Sequence, residues 1–219
     1  MGPIDWGLHT GVGVGFYNAK TTIDDNKSPV VSKNLTDSDN HRFEMHTTLF
    51  GYEERQKAMF LTIPLMGQFK YDLYYLGAGI KFGVPLNGKF ASEYSSSSKQ
   101  IFNEGYYTAQ DVSIDKPRFA GYGSFTGNGM GDEKIEFGAS VILALEGGVN
   151  LRLNDNLSLY IGAYFDAGLN NIAKKIQKPF VNYQVGKEDE FTTNSVLSSF
   201  DEKVKTMGAG VKVRIAFKN

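Results

Sequence analysis

Eight ionisable side chains, Lys70, Lys81, Glu136, Glu146, Arg152, Asp166, Lys212 and Arg214, stand at polar positions within stretches where apolar and polar residues alternate. Both signs occur, with bases in modest excess, so an enclosed set of this kind can largely pair within itself. Two chemistries suit it. One is a water path whose lining charges set selectivity; the other is a packed polar network that fills the inside of a narrow barrel. Unpaired buried charges are strongly destabilising, which favours the paired network.

A second candidate is nucleophilic. His9 lies among glycines, and Ser140 or Ser158 could act with it on a lipid acyl group. Such chemistry needs the serine, the histidine and an orienting acid within hydrogen-bond reach. No nucleophile-elbow spacing accompanies these residues, so His9 reads as a satisfied interior polar group and the chain as a non-enzyme. Asp24-Asp25-Asn26 and Asp37-Ser38-Asp39-Asn40 gather oxygen ligands as calcium prefers, yet neither has the glycine and distal glutamate of an EF-hand. Both read as solvated loops. The stretch from Gly121 to Gly131 lacks the lysine and hydroxyl of a P-loop and reads as a flexible loop. No cofactor or metal is expected.

The elements that carry these residues are strands. Six stretches alternate almost without a break, at about 4–17, 58–71, 74–86, 135–153, 157–170 and 204–217. A two-residue period sends one set of side chains to each face of a sheet. In the first stretch Trp6, Leu8, Thr10, Val12, Val14 and Phe16 share one face, and Gly7, His9, Gly11, Gly13, Gly15 and Tyr17 the other. Ordinary strands run about 5–6 residues, whereas a tilted strand crossing a bilayer needs about 9–11. The pattern predicts an all-β fold, an antiparallel up-and-down transmembrane β-barrel with an apolar outside and an ionised inside. Trp6 and Phe16 lie roughly 25 Å apart along a membrane normal at the usual rise and tilt. The aromatics Trp6, Phe16, Phe69, Tyr71, Tyr74, Phe137, Phe165 and Phe217 are placed at the membrane interfaces. Pro64 predicts a bulge or bend.

Connections alternate in length. Those at Asp72 and at Asn154-Asp155-Asn156 are tight turns, while 18–56, 87–133 and 171–203 are long and polar. This is the arrangement of short periplasmic turns and long extracellular loops. His41 to Tyr52 and Tyr106 to Ile114 have enough β-formers to extend the barrel as hairpins. The chain, residues 1–219, reads as one domain, since no shift in composition divides it. Its formal net charge of -1 offers no basic footprint for nucleic acid, and it has no cysteine for thiol chemistry or disulfides. There is no apolar run long enough for a transmembrane helix, and the opening residues are not a signal peptide. The smallest single-chain outer-membrane barrels have about eight strands. Two strands beyond the six are therefore expected, and an N-terminal truncation would account for them.

Several runs carry a resemblance: Trp6-Gly7-Leu8-His9-Thr10-Gly11-Val12-Gly13, Leu61-Thr62-Ile63-Pro64-Leu65-Met66, Tyr75-Leu76-Gly77-Ala78-Gly79-Ile80-Lys81-Phe82-Gly83-Val84-Pro85-Leu86, Leu159-Tyr160-Ile161-Gly162-Ala163-Tyr164 and Gly168-Leu169-Asn170-Asn171-Ile172. With Glu53 to Lys57, they resemble the outer-membrane β-barrel domains of the OmpA family from Bacteroides-type bacteria, over nearly the whole chain. The resemblance implies two strands before the tryptophan-bearing one and a C-terminal peptidoglycan-binding domain, neither of which these residues include. It implies a bacterial outer-membrane location, outer-membrane lipid as a partner, and peptidoglycan as a partner only through that further domain. The expected function is non-enzymatic support of the cell envelope with display of surface loops, whose ligand the residues do not specify. The competing readings are a narrow small-solute channel and a soluble lipocalin-like barrel that holds an apolar ligand.

Overall fold

The computed structural model describes residues 4–23, 29–94, 101–127, 129–154, 156–174, 180–182, 192–199 and 203–217. Its strands are β1 (Ile4–Thr10), β2 (Gly13–Ile23), β3 (Val30–Thr36), β4 (Arg42–Leu49), β5 (Tyr52–Tyr71), β6 (Tyr74–Tyr94), β7 (Ile101–Tyr107) and β8 (Val112–Ile114). They continue with β9 (Gly123–Phe125), β10 (Met130–Lys134), β11 (Ser140–Asn154), β12 (Leu157–Gly168), β13 (Val181–Asn182), β14 (Thr192–Thr193) and β15 (Met207–Phe217). The fold is all-β and antiparallel. No helix among the described residues is long and apolar enough to cross a membrane.

The main sheet has the order β1-β5-β6-β11-β12-β15, with β2 on β5 and β10 on β6. β1 and β2 are one strand in a single register, from Ile4 opposite Tyr71 to Ile23 opposite Tyr52. Thr10 faces Leu65 and Gly13 faces Thr62, so the break at Gly11 falls opposite Pro64. A proline offers no N–H to a ladder, and the disturbance expected there appears as a gap in the partner strand. The bulge lies elsewhere. Phe60 faces Pro85 but Met59 faces Asn87, so Leu86 is an extra residue in β6 and every later side chain of that strand changes face. At the tight turn from β5 to β6, Asp72 takes φ 54, a left-handed conformation that aspartate tolerates.

The two faces differ in kind. Leu143, Ile161 and Val213 are exposed on one side, Val213 at 64 %, while Glu146 on the other is 6 % exposed and has buried Met66, Tyr75, Ile142 and Tyr160 on its face. Among the described residues no pairing joins β1 or β2 to β15, so the sheet is not closed. It is strongly curled: His9 on β1 and Arg214 on β15 both come within 3.8 Å of the Glu146 carboxylate on β11.

β5 and β6 extend well past the predicted 58–71 and 74–86, because their far ends carry a second layer. There a sheet of order β3-β4-β7-β8, with β9 on β7, is built from the segments 18–56 and 87–133. Leu49, Tyr52, Ile101, Phe125, Phe180 and Val196 form its core with the ends of β5 and β6. Glu54 on β5 anchors this cap. Its fully buried carboxylate accepts from Tyr52 Oη at 2.7 Å, Gln56 Nε2 at 2.6 Å, Ser195 Oγ at 2.5 Å and the Val196 amide at 2.9 Å. Burial first, then the Glu54 charge, pushes the Tyr52 phenol up, so it stays a donor.

Glu54→Ala would leave those donors buried without an acceptor and should destabilise the cap by about 3 kcal/mol. Limited proteolysis should then cut near 192–199 while β11 to β15 stay protected; an unchanged digestion pattern would refute the anchoring role.

Candidate functional site

The concave face of the main sheet gathers most of the interior charges. Successive strands offer glycine where their neighbours carry large side chains. A Cβ at Gly77 would lie 2.7 Å from Glu146 Cγ, so the carboxylate occupies space that only a glycine leaves open. Glu146 accepts from Lys212 through Oε2, and its Oε1 faces Arg214 and His9, each at 3.8 Å. One row away, Lys81 donates to both oxygens of Asp166 at 2.8 and 2.7 Å. Tyrosines at the same inward parity complete the network. The Arg214 guanidinium lies 4.2 Å from the Tyr160 ring centroid and 5.8 Å from that of Tyr75. Lys81 lies 5.4 Å from the Tyr164 ring, and Lys70 5.3 Å from that of Tyr160. Rings accept cations on their faces, which lets bases outnumber carboxylates here.

Among the described residues the remaining predicted charges form no ion pair with Glu146 or Asp166. Lys70 pairs with Asp5 at 3.7 Å near the tight-turn end, where Asp5 is largely exposed. Arg152 is exposed at the end of β11. Glu136 lies outside the strand altogether and pairs with Lys174 at 3.1 Å. The alternation read from Ile135 onward holds only from Ser140. Before it, the ladder to β6 is interrupted although β10 and β11 share one register on that strand, with the Ile135 amide bonded to Gly88 O and the Gly138 amide to Ile172 O, and the faces change opposite the Leu86 bulge.

This change of face also corrects the placement of Phe137. It is 6 % exposed and packs with Phe60, Ala58, Phe90, Ile135, Ile172 and Leu197 in an apolar plug beside the charge network. The other predicted interface aromatics are on the convex face. Trp6, Phe16, Tyr71, Tyr74, Phe165 and Phe217 are exposed, and Phe69 is half-buried against Trp6, with centroids 4.6 Å apart.

His9 and the two serines do not form a catalytic constellation among the described residues. His9 turns to Glu146, and Ser140 Oγ shares a hydrogen bond with Thr206 at 3.1 Å. Asp37 uses its oxygens locally, accepting from the amides of Asp39 and His41 and from Tyr107 Oη. Asp24-Asp25-Asn26 lies outside the described residues. Sequence reasoning missed Tyr75, Tyr160 and Tyr164 as cation partners, although their position on the polar side of an alternating strand was the available signal. It also missed Glu54, which has no periodic signature beyond its parity.

Comparison of the chain with family models, with curated proteins and with solved structures found no match.

Glu146→Gln should lower stability by about 2–3 kcal/mol, because Lys212 and Arg214 keep their charges without a compensating anion. Replacing Glu146, Lys212 and Arg214 together by Leu, Met and Met should recover most of that loss. Denaturant midpoints decide it, and a neutral single substitution would show that the cluster is not a coupled network.

Proposed function

We propose that this chain is an outer-membrane β-barrel protein of about eight strands without enzymatic activity, which supports the cell envelope and presents a folded cap on its outer side. The observation that carries this reading is the inversion of faces. A soluble barrel turns apolar side chains inward around its core or ligand, whereas here large apolar residues cover the convex side of every long strand and the paired ions lie within. Water disfavours such an exterior, and lipid chains favour it. Six strands of the main sheet contribute, with β1–β2 and β15 as its edges, and two more strands between those edges would complete the smallest barrel of this class. An open edge in hydrocarbon would leave backbone groups unpaired, so the complete cylinder must close.

We infer a plugged interior rather than a channel. The aromatic cluster around Phe60 and Phe137 and the ion pairs of Glu146 and Asp166 support this reading, since both are made mainly by inward-facing side chains of the main sheet.

The purified protein should require detergent to stay monodisperse and should give no unitary current steps in planar bilayers. A monodisperse species in detergent-free buffer would overturn the membrane reading. Reproducible steps that shift when Lys81 or Lys212 is neutralised would overturn the plugged interior in favour of a pore.

A further inference from the structure

The outer face changes character abruptly where the apolar rows meet the cap. The last apolar row holds Phe16 and Met59 as direct partners, with Leu86 beside them at the bulge. The next row outward reads Asn18, Lys57, Lys89 and Lys134 on β2, β5, β6 and β10, each the cross-strand partner of the one before. Beyond it Lys20 faces Arg55, and beyond that Thr22 faces Glu53, which in turn faces Glu93.

The acids of the outermost row are already engaged. Glu53 holds Lys20 at 2.6 Å and Arg55 at 2.8 Å, and Glu93 holds Arg55 at 2.9 Å. The Lys20 hydrogen bond, then that of Arg55, holds the Glu53 carboxyl below the ordinary carboxylate range. For the row next to the apolar band only Asp132 remains, 3.4 Å from Lys89 with both groups about half exposed. Lys57 and Lys134 have no anionic partner among the described residues. Like charges directly opposite one another in a sheet are destabilising, and here they are adjacent across β5, β6 and β10.

The backbone is adapted to produce this row. Without the extra residue at Leu86, Lys89 would turn to the concave side and Phe90 to the outside. The bulge instead buries Phe90 in the plug and places Lys89 between Lys57 and Lys134. A surface groove runs along Asn18, Lys20, Arg55 and Lys57 at the same level.

We propose that this row binds the phosphate of an anionic membrane-lipid headgroup, in the leaflet on the side of the cap. The inference rests on the membrane reading above. On that reading the row lies where hydrocarbon gives way to headgroups. Lysine stems can lie along the apolar rim while their ammonium groups reach the interface, and a phosphate between Lys57 and Lys89 supplies the charge that the protein does not. Asn18 adds an amide donor at one end of the row, and Lys134 a third cation at the other.

The test uses the full chain in lipid nanodiscs of phosphatidylcholine doped with phosphatidylglycerol or diphosphoryl lipid A, with the lipids retained after detergent extraction counted by native mass spectrometry. The wild type should retain the anionic lipids in preference to phosphatidylcholine. The triple variant K57Q/K89Q/K134Q should lose about a hundredfold of that preference, at roughly 1 kcal/mol for each of the three cations near an anionic surface. K57R/K89R/K134R should keep it. High salt should weaken retention by the wild type, a measurement that stands even if the glutamine variant fails to fold. Wild type that enters the discs but shows no preference, or a glutamine variant that retains anionic lipid equally, overturns the headgroup site alone. Failure to enter the discs overturns the membrane reading and the site with it.

Discussion

Glu146 is the point on which the interior depends. Burying a carboxylate to 6 % exposure is costly unless its oxygens are met, and its partners come from far along the chain: Lys212 and Arg214 on the last strand, with the His9 ring on the first. To bring them together the sheet must curl, and every strand must hold the register that points its polar set inward. A slip of one residue in β15 would turn Lys212 and Arg214 to the apolar side and leave Glu146 alone. Register, curvature and polarity of the faces are thus a single constraint. The Lys81–Asp166 pair repeats the same logic one row away.

The apolar exterior and the cap follow from this arrangement. With charges, glycines and a limited set of large side chains filling the concave side, most large aliphatic side chains go to the convex side, and there they form the surface that we assign to lipid. The ends of β5 and β6 leave that regime. Their outward residues become Lys57, Arg55 and Glu53 on one strand and Lys89 and Glu93 on the other, while their inward residues become the cap core. Glu54 acts in the cap as Glu146 does below, joining its own strand to a distant segment, but its donors are neutral: the Tyr52 hydroxyl and Gln56 amide beside it, and the Ser195 hydroxyl and Val196 backbone amide from far along the chain.

The main sheet could be read from sequence wherever a strand is long and has one face of each kind. β11 from Ser140, β12 and β15 have their predicted faces, and the tight turn at Asp72 is where aspartate allows it. Legibility failed where the two-residue period was broken or had a different cause. Ile135 and Phe137 keep the parity of β11 yet lie inside, because the chain changes face between them and Ser140, opposite the bulge in β6. Glu136 fell with them. The bulge at Leu86 has no local signature, since it shows only in the change of face between Leu86 and Phe90. The cap strands β3, β4 and β7 mix polar and apolar residues on both faces; Tyr106 to Ile114 forms the expected hairpin of β7 and β8, whereas His41 to Tyr52 does not fold back on itself but supplies β4, which pairs with β3 and with the distant β7. Of the site, the charges at 81, 146, 166, 212 and 214 were visible as charges, but which would pair depended on curvature.

The central claim is that the convex side of the sheet faces lipid chains. Trp6 is the single tryptophan of the chain and stands on that side at 75 % exposure, so its fluorescence reports the question directly. In vesicles whose lipids carry bromine on their acyl chains, Trp6 emission should be strongly quenched, while iodide in the aqueous phase should have little effect. Ready quenching by iodide with no response to brominated chains would place this face in water and contradict the account.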